Sequence, residues 1–277
     1  MPSEEPSMSR TNSDATVPPR LDTLVIGVTL FHLGSLYNDQ STMTFRRGMG
    51  TRVEIPVTGA FIEMADGEHI LFDTGMLPPG WEGHAPPPRV LSMIANYGPQ
   101  DDIRARLGEI GRTTDDVKMV INSHFHWDHS GANRLFDKAR VFIQLSEYRF
   151  ACLPDTFIEG PYIGNFLEKD RPFELLEGDR VIKPGIAVLT TPGHTPGHQS
   201  LLVRLPSGRT MIFTGDALSC PANLHPQTPP GNAHCLEHAV ASINRLKMLA
   251  DFLDGDLVIC HDPAFWETWR PAPHCYV

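Results

Sequence analysis

The chain has 277 residues, 41% of them hydrophobic, and a formal net charge of −10. This length and apolar content suffice for a core in one large domain or two small ones. The acidic balance argues against a nucleic-acid partner, because such proteins neutralise phosphates with clustered Lys and Arg. No stretch reaches the roughly 18 apolar residues that span a bilayer. We therefore expect a small-molecule substrate, and neither nucleic acid nor membrane as a partner.

The first residues predict a tail rather than a targeting segment. Residues 1–20 lack the apolar run of a signal peptide, and their acidic side chains disfavour a transit peptide. We predict a disordered tail over 1–20 and a single domain over 21–277. The five cysteines are odd in number and contain no C-x-x-C pair, which argues against a disulfide framework and a Cys-type zinc ribbon. We expect mostly buried thiols and a cytoplasmic protein.

Short apolar segments alternate with helical patterns along the chain. In the first half they predict strands over 23–30, 52–57, 60–64 and 70–72, a helix over 101–110 and a strand over 117–122. In the second half they predict strands over 186–190, 200–205 and 210–214, a helix over 234–253 and a strand over 257–259. We expect an α/β domain in which two sheets pack face to face with helices outside. The segment 76–98 is rich in Pro and Gly, and is either a substrate-facing loop or plain packing.

A cluster of metal-ligand residues directly follows the strand predicted over 117–122. Its spacing, H-x-H-x-D-H, comprises His124, His126, Asp128 and His129. The first two imidazoles lie on one side of an extended turn, and Asp128 and His129 are free to face a neighbouring metal. The alternative is a set of capping and hydrogen-bonding histidines, but this spacing seldom arises by chance.

Three single residues, His194, Asp216 and His261, also follow apolar strands. A carboxylate at such a strand end is costly to bury unless it is paired or metal-bound. We predict two divalent metal ions, with Asp216 shared between them. The first would be held by His124, His126 and His194, and the second by Asp128, His129 and His261. Zn²⁺ is the first choice for these nitrogen and oxygen ligands, and Fe, Mn or Co suits the same geometry.

Two further residues are candidates for supporting roles around the ligands. Asp73 ends a strand and would orient a ligand imidazole as its acceptor, or else form an Asx turn. His198 follows His194 too closely to be interpreted independently, and we assign it a supporting role.

Taken together, these motifs resemble the metallo-β-lactamase superfamily from about residue 21 to the C-terminus. They are Asp73-Thr74-Gly75, the H-x-H-x-D-H run, Thr191-Pro192-Gly193-His194, Gly215-Asp216 and Cys260-His261-Asp262. Within the superfamily, the run over 123–131 and the string TPGHTPGHQS over 191–200 are similar to the N-acyl homoserine lactone lactonases and their small-lactone relatives. The resemblance implies an αββα sandwich with two mixed sheets and a dinuclear site at one edge.

The resemblance also implies a function. We expect a quorum-quenching lactonase, monomeric or homodimeric, that opens the ester ring of its substrate through a metal-bridging hydroxide. Asp128 and Asp216 would be the catalytic carboxylates, with Asp128 shuttling the proton. These lactonases carry a Tyr three residues after the bridging Asp, where it assists with the carbonyl or the leaving group. Here that position is Ser219, which joins Asp73 and His198 as a candidate supporting residue.

Other activities of the superfamily are alternatives. A glyoxalase-II-like thioesterase usually adds a basic C-terminal helical region, and another small-lactone or aryl ester hydrolase would use the same site. True β-lactamases generally place Cys or Ser where Asp216 stands, and ribonuclease members need basic surfaces. A non-enzymatic metal-binding scaffold would fill the same ligands but close the site.

Overall fold

The computed structural model describes residues 23–76, 88–156, 162, 172–225 and 227–277. The tail predicted over 1–20 lies outside the described residues. The strands are β1 (Val25–Asp39), β2 (Arg52–Met64), β3 (His69–Phe72), β4 (Ile94–Asn96), β5 (Val117–Ile121), β6 (Arg140–Gln144), β7 (Phe173–Leu176), β8 (Arg180–Lys183), β9 (Ile186–Thr190), β10 (Gln199–Arg204), β11 (Thr210–Phe213), β12 (Gly255–Val258) and β13 (Cys275–Tyr276). The helices are α1 (Gln40–Met43), α2 (Pro88–Leu91), α3 (Ile103–Glu109), α4 (Trp127–Ser130), α5 (Leu145–Cys152), α6 (Leu236–Leu253) and α7 (Pro263–Thr268).

The strands form two mixed sheets, as expected. The first has the order β13-β1-β2-β3-β5-β6-β7, with β4 also paired to β1, and the second has the order β12-β11-β10-β9-β8. In the first sheet β3, β5, β6 and β7 run parallel, and in the second only β11 and β12 do. The remaining pairs are antiparallel, so each sheet joins a parallel part to an antiparallel part.

The inner faces of the two sheets share one apolar core. Ile62 and Met119 from the first sheet belong to the same buried cluster as Leu201 and Met211 from the second. Side chains alternate across a strand, so neighbouring residues point outwards and meet helices. On the first sheet, Phe61 and Val120 pack in a cluster with Ile103 and Leu107 of α3, and on the second, Ile212 packs with Ile243 and Leu246 of α6. The layers are therefore helix, sheet, sheet, helix.

The long strands β1 and β2 differ from their predicted bounds. β1 continues to Asp39, well beyond residue 30, and the two strands predicted over 52–57 and 60–64 are one strand. Their pairing passes through a register shift between His32 and Ser35 and then resumes. The backbone pairing of β1 with β2 therefore continues past the point where the apolar sequence pattern is interrupted. The first sheet also contains β6 and β7, which no sequence pattern predicted.

Part of the segment 76–98 is ordered as α2 and β4, and residues 77–87 lie outside the described residues. β4 pairs with β1 through Leu36 and Ile94. None of the described helices combines the length and apolar character needed to cross a bilayer.

All five cysteines are free. The prediction of mostly buried thiols is wrong. Only Cys260 is buried, whereas Cys152 and Cys275 are exposed. These two lie at a helix end and on an edge strand, where the surrounding layers do not cover them.

Candidate metal centre

The predicted ligands and the supporting residue Asp73 meet at one edge of the sandwich because they follow strands that end there. Asp73 follows β3, the histidine run follows β5, and Asp216 and His261 follow the parallel pair β11 and β12. His194 lies in the connection between the antiparallel strands β9 and β10. Strand direction therefore carries residues far apart in sequence to one place.

The first group comprises His124, His126 and His194, all buried. Nδ1 of His126 lies 3.0 Å from Nε2 of His194, and the rings of His124 and His126 are 4.3 Å apart. Burial lowers the pKa of all three imidazoles below the usual value. The rings are therefore neutral at pH 7 and present lone pairs rather than positive charge.

The second group comprises Asp128, His129 and His261. Nε2 of His129 lies 3.3 Å from Nε2 of His261, and Oδ2 of Asp128 lies 3.6 Å from the former and 3.8 Å from the latter. Burial opposes a charge on His129, but the carboxylates of Asp216, Asp128 and Asp73 together raise its pKa well above the usual value. This environment favours positive charge between the two rings, which a divalent cation would supply in place of a proton.

Asp216 lies between the two groups. Its Oδ2 is 3.2 Å from Nε2 of His194, and its Oδ1 is 3.1 Å from Nε2 of His129 and 3.2 Å from Nε2 of His261. Gly215 precedes it with a φ of 51°, and a Cβ there would lie 2.5 Å from Nε2 of His198. Glycine is therefore needed to turn the chain this close to the histidines.

The donor set fits two zinc-like cations. Two ligands at about 2.0–2.1 Å from one tetrahedral Zn²⁺ lie roughly 3.3 Å apart, and the facing nitrogen pairs are separated by 3.0 and 3.3 Å. Nε2 of His124 is buried and has no hydrogen-bond partner among the described residues. A buried polar atom without a partner is costly, and a metal ion would satisfy this one.

The predicted supporting residues lie around the ligands. Oδ2 of Asp73 is 2.9 Å from Nδ1 of His129 and accepts a hydrogen bond from the hydroxyl of Ser123, while Oδ1 accepts from the Ser123 backbone N–H. His198 accepts a hydrogen bond at Nε2 from the backbone N–H of Asp216. Each therefore orients a residue of the proposed ligand set.

A cavity of about 130 Å³ opens beside this cluster. His126, Asp128, Asp216, His261 and the buried Ser219 line one part of it. The rest of the lining mixes apolar and polar side chains. The apolar ones are Leu36, Met43, Ile55, Met93 and Trp127, and the polar ones are Asn38, Thr42 and Asn232. The cavity thus combines candidate metal ligands with several apolar side chains.

Sequence patterns missed Glu147, although its side chain lies close to the site. It is fully buried in the first turn of α5 and accepts hydrogen bonds from both histidine-bearing loops. A lone Glu in a short helix carries no motif, so no signal in the sequence singled it out.

Comparison with known proteins agrees with this geometry. Residues 54–261 match the model of the metallo-beta-lactamase superfamily. An N-acyl homoserine lactonase AttM of Rhizobium radiobacter is 32% identical over 256 residues, covering 88% of this chain and 95% of its own length. An N-acyl homoserine lactonase of Bacillus cereus is 30% identical over 215 residues, covering 76% of this chain and 82% of its own.

Solved structures give the same result. A quorum-quenching N-acyl homoserine lactone hydrolase superposes with a TM-score of 0.81 at 27% identity, covering 92% of this chain and 100% of its own. A structure of such a hydrolase with the product N-hexanoyl-L-homoserine at its catalytic metal centre superposes with a TM-score of 0.80, also at 27% identity and with the same coverage. The expected sandwich fold and the expected resemblance to these lactonases are confirmed, and the chain belongs to the metallo-beta-lactamase superfamily.

Proposed function

We propose that this protein is a metal-dependent hydrolase that opens the ester ring of a lactone, with an N-acyl homoserine lactone as its substrate. The position of Asp216 carries the proposal, since each of its carboxylate oxygens faces one histidine group. Relatives of at least 30% identity that are named N-acyl homoserine lactonases support the choice of substrate. The apolar side chains in the cavity lining suit an acyl chain, and the candidate ligands in the same lining suit a polar reaction site.

Two cations would be held by the two groups, with Asp216 as the shared ligand. His124, His126 and His194 would hold one, and Asp128, His129 and His261 the other. When bound, such a pair supplies an activated water at neutral pH and an electrophile for the ester carbonyl.

The chain's own residues would then place the substrate and move the proton. Asp128 lines the cavity and directs Oδ2 towards His129 and His261. Its other oxygen would carry a proton from the activated water to the alkoxide released when the ring opens. Ser219 lines the same cavity, where its hydroxyl would donate a hydrogen bond to the ester in place of the phenol of the related lactonases.

The proposal also covers the identity of the metal, the cellular location and the number of domains. Zn²⁺ is proposed as the metal because most of the ligands are imidazoles. A cytoplasmic location is proposed because all five cysteines are free, as in a reducing compartment. One domain over 21–277 is proposed because the two sheets share a core.

The function is tested by acid release in a weakly buffered solution of the zinc-loaded protein. N-acyl homoserine lactones of several chain lengths, a simple butyrolactone, a glutathione thioester and a β-lactam are assayed side by side. We expect the highest kcat/KM for an acyl homoserine lactone. A preference for the thioester or the β-lactam would overturn the substrate assignment, and no turnover of any of them would favour the metal-binding scaffold.

A further inference from the structure

Glu147 accepts four hydrogen bonds in the interior of the protein. Oε1 receives them from the backbone N–H of Phe125 over 3.0 Å and the hydroxyl of Tyr162 over 2.9 Å. Oε2 receives them from the hydroxyl of Thr195 over 2.6 Å and the backbone N–H of Gly197 over 3.2 Å. The acceptor capacity of the carboxylate is therefore fully used.

The four donors flank the three histidines of the first group. Phe125 lies between His124 and His126 in the chain, and Thr195 directly follows His194. The ring of Tyr162 meets that of His126 edge-on, with centroids 4.8 Å apart. One carboxylate oxygen thus contacts the loop after β5, and the other contacts the loop between β9 and β10. Glu147 connects the two loops that together supply this group.

The packing around Glu147 leaves little freedom for the second loop. A Cβ on Gly197 would lie 2.1 Å from the backbone nitrogen of Glu147, so the loop rests directly on the first turn of α5. This contact and the two hydrogen bonds to Oε2 fix the distance of that loop from the helix.

Burying a carboxylate is costly, and Glu147 has no ion-pair partner in the described part of the chain. Burial raises its pKa, whereas the hydrogen bonds from Thr195, Phe125, Tyr162 and Gly197 oppose that shift. An apolar side chain at this position would leave the four donors without an acceptor, which is costly for those that are buried. The position of the four donors points to a more specific task.

We propose that Glu147 is a positioning residue that sets the affinity of the His124, His126 and His194 group for its metal ion. It does so by holding the two histidine-bearing loops in fixed positions relative to each other. Asp73 differs from Glu147 because it reaches both groups. It contacts His129 of the second group, and it also contacts Ser123, whose hydroxyl lies 3.0 Å from Nδ1 of His124 in the first. This inference rests on the proposed metal centre but not on the identity of the substrate.

Variants that each retain one metal group allow the test. His261→Ala leaves the first group intact, and His126→Ala leaves the second intact. Glu147→Gln is placed in each background, and Zn²⁺ affinity is measured by competition with a chromophoric chelator. Glutamine keeps an acceptor for Phe125, but its NH₂ cannot accept from Gly197. Asp73→Asn is the comparison variant that affects both groups, and Glu177→Gln, at an exposed carboxylate, is the control.

Supporting residues around a metal typically contribute 10–100-fold in affinity. We therefore expect Glu147→Gln to weaken Zn²⁺ binding about tenfold or more in the His261→Ala background and no more than about twofold in the His126→Ala background. Asp73→Asn should weaken Zn²⁺ binding in both backgrounds, and Glu177→Gln should change neither affinity.

Equal weakening in both backgrounds, or none, would overturn the inference and indicate a purely structural role for Glu147. Circular dichroism of the metal-free variants reports whether they fold. If Glu147→Gln does not fold, Thr195→Val removes one donor to Oε2 and should show a smaller loss with the same selectivity. Absence of Zn²⁺ binding by the unmodified protein would overturn the metal centre itself, which is a different result from loss of selectivity.

Discussion

The ring of His198 accepts a hydrogen bond at Nε2 from the backbone N–H of Asp216, over 3.0 Å. Its Nδ1 lies 3.1 Å from the backbone carbonyl oxygen of Thr191 and donates to it. The ring can accept at Nε2 only when that nitrogen is unprotonated. His198 therefore fixes the backbone of the shared carboxylate and must stay neutral to do so.

This neutrality makes stability depend on pH. Burial lowers the pKa of His198 to about 3, whereas an unfolded histidine titrates near 6.5. Between these values the unfolded chain binds one more proton than the folded chain, so this residue's contribution to stability falls as the pH is lowered. Above pH 6.5 it contributes no pH dependence.

We expect His198→Gln to reduce the dependence of the unfolding free energy on pH between about 6 and 4, by up to about 1.4 kcal/mol per pH unit. This pH dependence is measured by urea unfolding of the two metal-free proteins at several pH values. An unchanged slope would show that His198 is not held neutral in the folded state.

His126→Ala and Asp128→Ala should each abolish lactone hydrolysis. The first change removes a ligand from one group, and the second removes both a ligand and the proposed proton carrier. The exposed residues His238 and Asp251 provide matched controls, and their alanine variants should keep full activity. Metal content is measured beside turnover, and undiminished turnover in either site variant would refute the site assignment.

Asp216→Ala should weaken metal binding at both groups. The carboxylate faces His194 on one side and His129 and His261 on the other, so its loss would remove one proposed ligand from each metal group. We expect fewer than two bound ions per chain after dialysis, measured by elemental analysis. Retention of both ions with unaltered affinity would mean that Asp216 does not bridge them.

Ser219→Ala tests what stands in place of the tyrosine of the related lactonases. A neutral hydrogen bond contributes about 0.5–1.5 kcal/mol, so we expect kcat/KM for lactones to fall by no more than about tenfold. A loss of several orders of magnitude would instead assign Ser219 an essential chemical role. Steady-state kinetics with equal metal loading of both proteins distinguishes the two results.

The grouping of the proposed ligands could be predicted from the sequence, because each follows an apolar strand and carries a distinctive residue type. His194, Asp216 and His261 together made a stronger prediction of a metal site than any one of them alone. The structure brings all three beside the H-x-H-x-D-H run. Parallel strands bring their carboxyl ends to the same edge of a sheet, so this grouping follows from strand direction.

Other features were not predictable because they depend on tertiary contacts. Glu147 has its role only because the loops carrying Phe125 and Thr195 meet at its carboxylate. β1 extends beyond residue 30 because β2 continues to pair with it after the register shift at His32. The apolar pattern of a single segment predicts neither the loop contacts with Glu147 nor the continued pairing of β1 with β2.

A metal titration decides whether the protein works with two metal ions. The protein is stripped with a chelator, and lactone turnover is recorded as Zn²⁺ is added back in steps of known stoichiometry. Two ions sharing Asp216 predict that turnover is absent in the stripped protein and rises until two equivalents per chain are bound. Full activity without metal, or a plateau at one equivalent, would contradict the dinuclear centre.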